Sequence, residues 1–120
     1  MEDPARHMIF HAAVMLLLGL ICGAPYGRAI NRGAAASTVH SWRVAHASLP
    51  MGAGLMLAVA AVQGSFSTPQ AVAWSMTYAF SISGYAFCVS LPLAAMVGHR
   101  GLHSEGPPSA KVVYAGNLIG

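Results

Sequence analysis

The chain has 120 residues, 56% of them apolar and 8% charged, against about 25% charged in a soluble domain. A soluble core of this size would bury too little surface to hide so many apolar side chains. The formal net charge of +3 is too small and too scattered for nucleic acid, and fits basic loops against an anionic leaflet of the lipid bilayer.

The apolar residues come in runs, three of which reach or approach the roughly 20 residues that span a bilayer. The expected fold is all-α: a polytopic transmembrane four-helix bundle, with residues 1–120 forming a single integral membrane helical domain. No repeat of 20–50 residues is visible.

The leader Met1 to His7 is polar and carries Glu2, Asp3 and Arg6. Signal peptides start basic, so the apolar run from Met8 to about Ala24 reads as a retained first helix. Gly19, Gly23 and Gly27 stand at four-residue intervals, a small-residue ridge for close helix contact. His7 and His11 share a helix face, but no third metal ligand accompanies them, and interfacial histidines are the plainer reading. Tyr26 to Ser41 reads as a loop with Arg28 and Arg32. The second helix is expected from about Ser41, its N-cap, to Val62, with Trp42 as an interfacial anchor and a second ridge at Gly54 and Ala58. Gln63 to Gln70 reads as a tight turn.

The third helix is expected over Ala71–Val97, with a polar middle (Ser81, Ser83, Gly84, Tyr85, Ser90) and a bend at Pro92. His99 to Pro108 reads as an irregular loop, in which Gly101 argues against a helical His99/His103 metal pair. The apolar run after Ser109 is about half a spanning length, so the fourth helix is expected to be incomplete. Cys22 and Cys88 lie deep in apolar runs without metal-ligand spacing and read as packing thiols. Arg28, Arg32, Arg43 and Arg100 fall on one side and only Arg6 on the other. The positive-inside rule then places the N-terminus outside a bacterial-type inner membrane.

One ionisable side chain, His46, lies inside an apolar segment, where such a group is a functional candidate by default. Pro50 stands four residues later and cannot donate to the His46 carbonyl, so the backbone is expected to loosen there. Gly52 and Gly54 remove bulk in the next turn and a half. Together they read as a slot for a flat ligand, or as an interfacial histidine followed by small packing residues.

Glu2, Asp3 and Glu105 are the only acids, which excludes a carboxylate dyad. The sequence has no phosphate loop, serine elbow or zinc histidine–glutamate motif. Histidine in an apolar setting remains, and histidine is the commonest protein ligand of haem. Arg43 or Arg100 would suit haem propionates.

Several features, in order, resemble the styrene oxide isomerase family of small membrane proteins. Arg6 and His11 resemble the start of its first helix. Trp42, Ala45 and His46, followed by proline, glycine and an aliphatic run, resemble its second. Gly84 matches in the third helix, and Arg100-Gly101-Leu102 resembles the triplet after it. The resemblance implies a homotrimer of four-helix protomers with haem b between subunits, and it implies that His46 is the iron ligand. Arg43 and Gly52 complete the expected cofactor-binding set. Ferric haem b would then act as a Lewis acid, turning a small apolar epoxide into an aldehyde without electron transfer. The family's asparagine six residues beyond the histidine is Gly52 here, and its third-helix aspartate and tyrosine align with Ser83 and Leu91. Tyr85 and Tyr114 are the candidate replacements for the phenol. Two other classes stay open: a haem-binding membrane protein for sensing or redox relay, and a non-haem helical bundle.

Overall fold

The computed structural model describes residues 3–98 and 108–120. The Arg100-Gly101-Leu102 triplet and the His99/His103 pair lie outside the described residues. The helices are α1 (Pro4–Ile21), α2 (Gly23–Asn31), α3 (Ala36–Ser65), α4 (Gln70–Val97) and α5 (Pro108–Ile119). No strand occurs among the described residues. α1 and α2 follow one another across Cys22 as a single 28-residue rod; with α3 (30 residues) and α4 (28 residues) it is long and apolar enough to cross a membrane. At 1.5 Å per residue these rods are about 42–45 Å long, more than the ~30 Å hydrocarbon core requires. With α5 they make an all-α membrane bundle, and the protein is multi-pass.

α1 starts at Pro4, ahead of the expected Met8. Asp3 caps it, accepting a hydrogen bond from the Ala5 N–H at 2.9 Å, and proline suits the first helical position, where no N–H is needed. The expected loop from Tyr26 to Ser41 needs a larger correction. α2 runs to Asn31 and α3 starts at Ala36, leaving only Arg32 to Ala35 between them. Pro25 lies in the first turn of α2, where it is tolerated, and alanines favour an early start to α3. Gly33, at φ 62°, closes α2. Its N–H reaches the Ile30 carbonyl at 3.1 Å, and that of Ala34 reaches Ala29 at 3.0 Å, the paired closure of a Schellman motif. Ser41 is therefore not an N-cap. It lies inside α3, and its hydroxyl donates back to the Ser37 carbonyl at 2.9 Å.

α1 packs chiefly on α3, α4 lies against both, α2 rests on α3, and α5 on α4. The buried stripe of α1 is Met8, Ala12, Met15 and Gly19. That of α3 is Ala45, Leu49, Ala53, Met56 and Ala60. Steps of three and four residues keep each stripe facing its partner. Small residues let the backbones approach, and flexible methionines fill what remains.

The glycine ridges divide on inspection. A Cβ on Gly19 would fall 2.5 Å from Pro50 Cδ, and one on Gly23 would fall 2.9 Å from His46 Cε1. Both glycines are close contacts within the chain. Gly27 and Gly54 face open space. Pro50, read as a loosening element, is thus also the surface on which α1 docks. α3 continues through it to Ser65.

Candidate functional site

His46 sits in the third turn of α3, half-buried. Its Nδ1 lies 2.9 Å from the carbonyl oxygen of Gly19, where α1 gives way to α2. A carbonyl can only accept, so Nδ1 carries the proton and donates. The tautomer is fixed by this bond, and the lone pair resides on Nε2. Gly23 backs the ring: a Cβ there would lie 2.9, 3.2 and 3.4 Å from Cε1, Nδ1 and Nε2. Any larger residue would push the imidazole out of place. The ring is therefore held by a helix junction on one side and by its own helix on the other.

Arg43, one turn before His46, is exposed, and its Nε donates to the Tyr26 hydroxyl at 3.2 Å. The Tyr26 ring lies beside the imidazole, with centroids 5.9 Å apart. The only described side-chain carboxylate, Asp3, is at the far end of α1. Arg43 puts positive charge beside His46, which favours an anionic group on any ligand bound there.

Gly52 is brought not to this cluster but to α1: a Cβ on it would fall 2.6 Å from the terminal methyl of Met15. The same methionine approaches Gly84, where a Cβ would meet Met15 Sδ at 2.9 Å. Of the three expected binding residues, His46 and Arg43 share one neighbourhood, and Gly52 contacts a thioether further along the α1–α3 seam. Ser83 donates its hydroxyl to the Gly120 carbonyl at 3.0 Å, and Leu91 packs against the apolar core. Cys22 is buried in that core, with Cys88 packed against it; both are free thiols.

Tyr85 is paired with His11. The hydroxyl and His11 Nδ1 are 2.7 Å apart, joining α4 to α1 eight residues, or about 12 Å along the helix, from Gly19. His7 lies against the Trp74 ring at 5.2 Å. Among the described residues no three histidine, cysteine or acidic side chains converge on one point.

Gly19, Gly23 and Tyr26 are the site residues that sequence reasoning missed. The available signal was their spacing with Cys22 between: had α1 and α2 been read as one rod, all three would have fallen toward one side of it.

The donor set fits haem b. A porphyrin brings four nitrogens of its own and needs from the protein an axial ligand, and His46 presents Nε2 with its other nitrogen already bonded. A bare metal ion would need several ligands at once.

The sequence profile described as styrene oxide isomerase matches residues 4–120. No curated protein and no solved structure matches the chain. The profile match takes in α1 to α5 and every residue of the His46 cluster, and the protein is therefore a member of the styrene oxide isomerase family.

Proposed function

We propose that the protein is a membrane-embedded epoxide isomerase that holds haem b through Nε2 of His46 and converts an apolar epoxide to an aldehyde. The observation that carries this reading is the 2.9 Å bond from His46 Nδ1 to the Gly19 carbonyl, because it leaves Nε2 as the free lone pair. When bound, ferric haem b supplies a Lewis acid that polarises the epoxide C–O bond without transferring electrons.

The chain's own residues do the remaining work. Gly19 fixes the proton on Nδ1 and thereby the direction of Nε2. Gly23 keeps the ring face clear. Arg43 offers a guanidinium to the propionates. The bilayer excludes water, which would otherwise capture a developing carbocation.

Orienting groups are fewer than the family pattern implies. Gly52 has no side chain, Leu91 is apolar, and the Ser83 hydroxyl is committed to Gly120. Each missing orienting hydrogen bond costs on the order of tenfold in rate, since 1.4 kcal/mol is one decade. Slow turnover of styrene oxide is expected, with better turnover of a bulkier aryl epoxide. The test is a panel of aryl and alkyl epoxides incubated with haem-loaded protein and assayed for aldehyde. If none appears while the ferric Soret band is intact, the second reading stands: a haem-binding membrane protein with another task, which the apolar replacements at Gly52 and Leu91 favour.

Orientation and assembly belong to the same proposal. Arg28 and Arg32 lie at the α2–α3 end of the bundle and Arg6 at the other, which favours an N-terminus outside the inner membrane. Arg32→Cys should then react with an impermeant thiol reagent only from the cytoplasmic side; labelling from the exterior alone reverses the orientation. The open Gly54, flanked by exposed Met51 and Leu55, supports a homotrimer packed through α3. Native mass spectrometry in mild detergent should find three copies. A stable monomer retaining a full complement of haem defeats this.

A further inference from the structure

Tyr26 follows Gly23 by three residues on α2, so both point toward α3. It is one side chain that touches two groups of the candidate site. Its ring centroid lies 5.9 Å from that of His46, with the planes inclined at 34°. Its hydroxyl accepts from Arg43 Nε at 3.2 Å, and the Arg43 guanidinium carbon is 6.0 Å from the ring centre. His46 and Arg43 are three residues apart on α3 and, both being donors or cations on that side, do nothing to hold one another. An exposed arginine has four rotatable bonds and samples many rotamers unless something pins it. Tyr26 pins it, through the ring face and through the hydroxyl. A phenol that accepts from Arg43 also keeps its own O–H proton, which it can donate to an acceptor alongside the guanidinium.

We propose that Tyr26 is the positioning residue of this site: its ring sets the His46 imidazole, and its hydroxyl, with Arg43, forms a preset two-donor cradle for a carboxylate of the ligand held at Nε2. This rests on the haem reading of His46. It adds that one propionate is met by a phenol and a guanidinium together, contributed by α2 and α3.

The experiment uses two probes, haem b and its dimethyl ester, which lacks the carboxylates, with the full chain in detergent. Tyr26→Phe keeps the ring and removes the hydroxyl. It should weaken haem b binding about three- to tenfold, the scale of one charge-assisted hydrogen bond, and leave ester binding unchanged. Tyr26→Leu removes the ring as well. It should weaken both probes and shift the ferric electron paramagnetic resonance signal, because the axial imidazole is free to turn. Equal affinity of wild type and Tyr26→Phe for haem b overturns the cradle, as does an equal loss for both probes. A third arm needs no haem. In the unloaded protein the His46 ring-proton resonances should move in Tyr26→Leu and barely in Tyr26→Phe, since the ring current goes with the ring. Resonances indifferent to Tyr26→Leu overturn the positioning role. If wild type takes up neither probe, the haem reading fails, and the resonance arm still decides whether Tyr26 sets His46.

Discussion

His46→Ala is expected to abolish the Soret band of haem-reconstituted protein, or to shift it to that of loosely held haem, while the helical content measured by circular dichroism is unchanged. The size of the effect follows from what is lost. An axial ligand is a coordinate bond, and its removal costs far more than the roughly 1–3 kcal/mol of a buried hydrogen-bonding group left unsatisfied. Three controls define the site. His7 rests on Trp74, and His11 is bonded to Tyr85 about 12 Å along α1 from Gly19, so His7→Ala and His11→Ala should leave the spectrum as it is. So should His103→Ala. A His46→Ala protein with a wild-type spectrum would remove the basis of the haem reading, and a spectrum lost in His11→Ala instead would move the ligand to the α1–α4 contact.

Gly19→Ala is expected to be the most damaging of the small glycine substitutions. Its Cβ would fall 2.5 Å from Pro50 Cδ and 2.8 Å from both Pro50 Cγ and Leu49 Cβ. None of these atoms can swing aside: two belong to a ring closed on the backbone, and the third is fixed to it. α1 must move off α3, at a cost of about 1–3 kcal/mol, as for overpacking in other cores. The carbonyl that holds His46 Nδ1 moves with it, so haem affinity should fall together with thermal stability. Gly27→Ala is the matched control. Nothing lies within 4 Å of its Cβ, and a surface change of this kind stays within about 0.5 kcal/mol. Melting curves in one detergent should separate the pair clearly. Equal midpoints for the two variants would mean that α1 and α3 are not seated on Gly19.

The three spans, and His46 as a candidate, could be read from the sequence because length and hydropathy report directly on the cost of placing backbone and ionisable groups in lipid. The helix junction could not. The stretch from Tyr26, with Asn31 and Gly33, looks like a loop when propensity is read residue by residue, yet Pro25 just before it is harmless in a first turn, and burial of Ala29 helps hold the helix. The same holds at Ser41, whose hydroxyl serves an N-cap and an interior helix position equally well. The pairings Gly19–His46 and His11–Tyr85 lie deeper still. A helix apolar on all sides gives no sign of which face meets its neighbour, so the rotation of α1 against α3 and α4 is set by glycine and methionine fit, which hydropathy does not record. Arg43 was legible as a cation near the site; that it already has a partner in Tyr26 was not.

Met15 ties Gly52 of α3 to Gly84 of α4. Its terminal methyl stands where a side chain on Gly52 would begin, and its sulfur stands where one on Gly84 would begin. One long, pliable residue of α1 therefore occupies the volume of two absent ones. The positions are coupled through it: an asparagine at Gly52, where the family resemblance implies one, has its first carbon 2.6 Å from the methyl and displaces it. Because that methyl is the free end of a flexible side chain, Met15 can swing aside for it, whereas a shorter residue at position 15 would open a void between α1, α3 and α4. A side chain at either glycine is therefore met first by a change in the rotamer of Met15, which alters the packing of α1 against both α3 and α4.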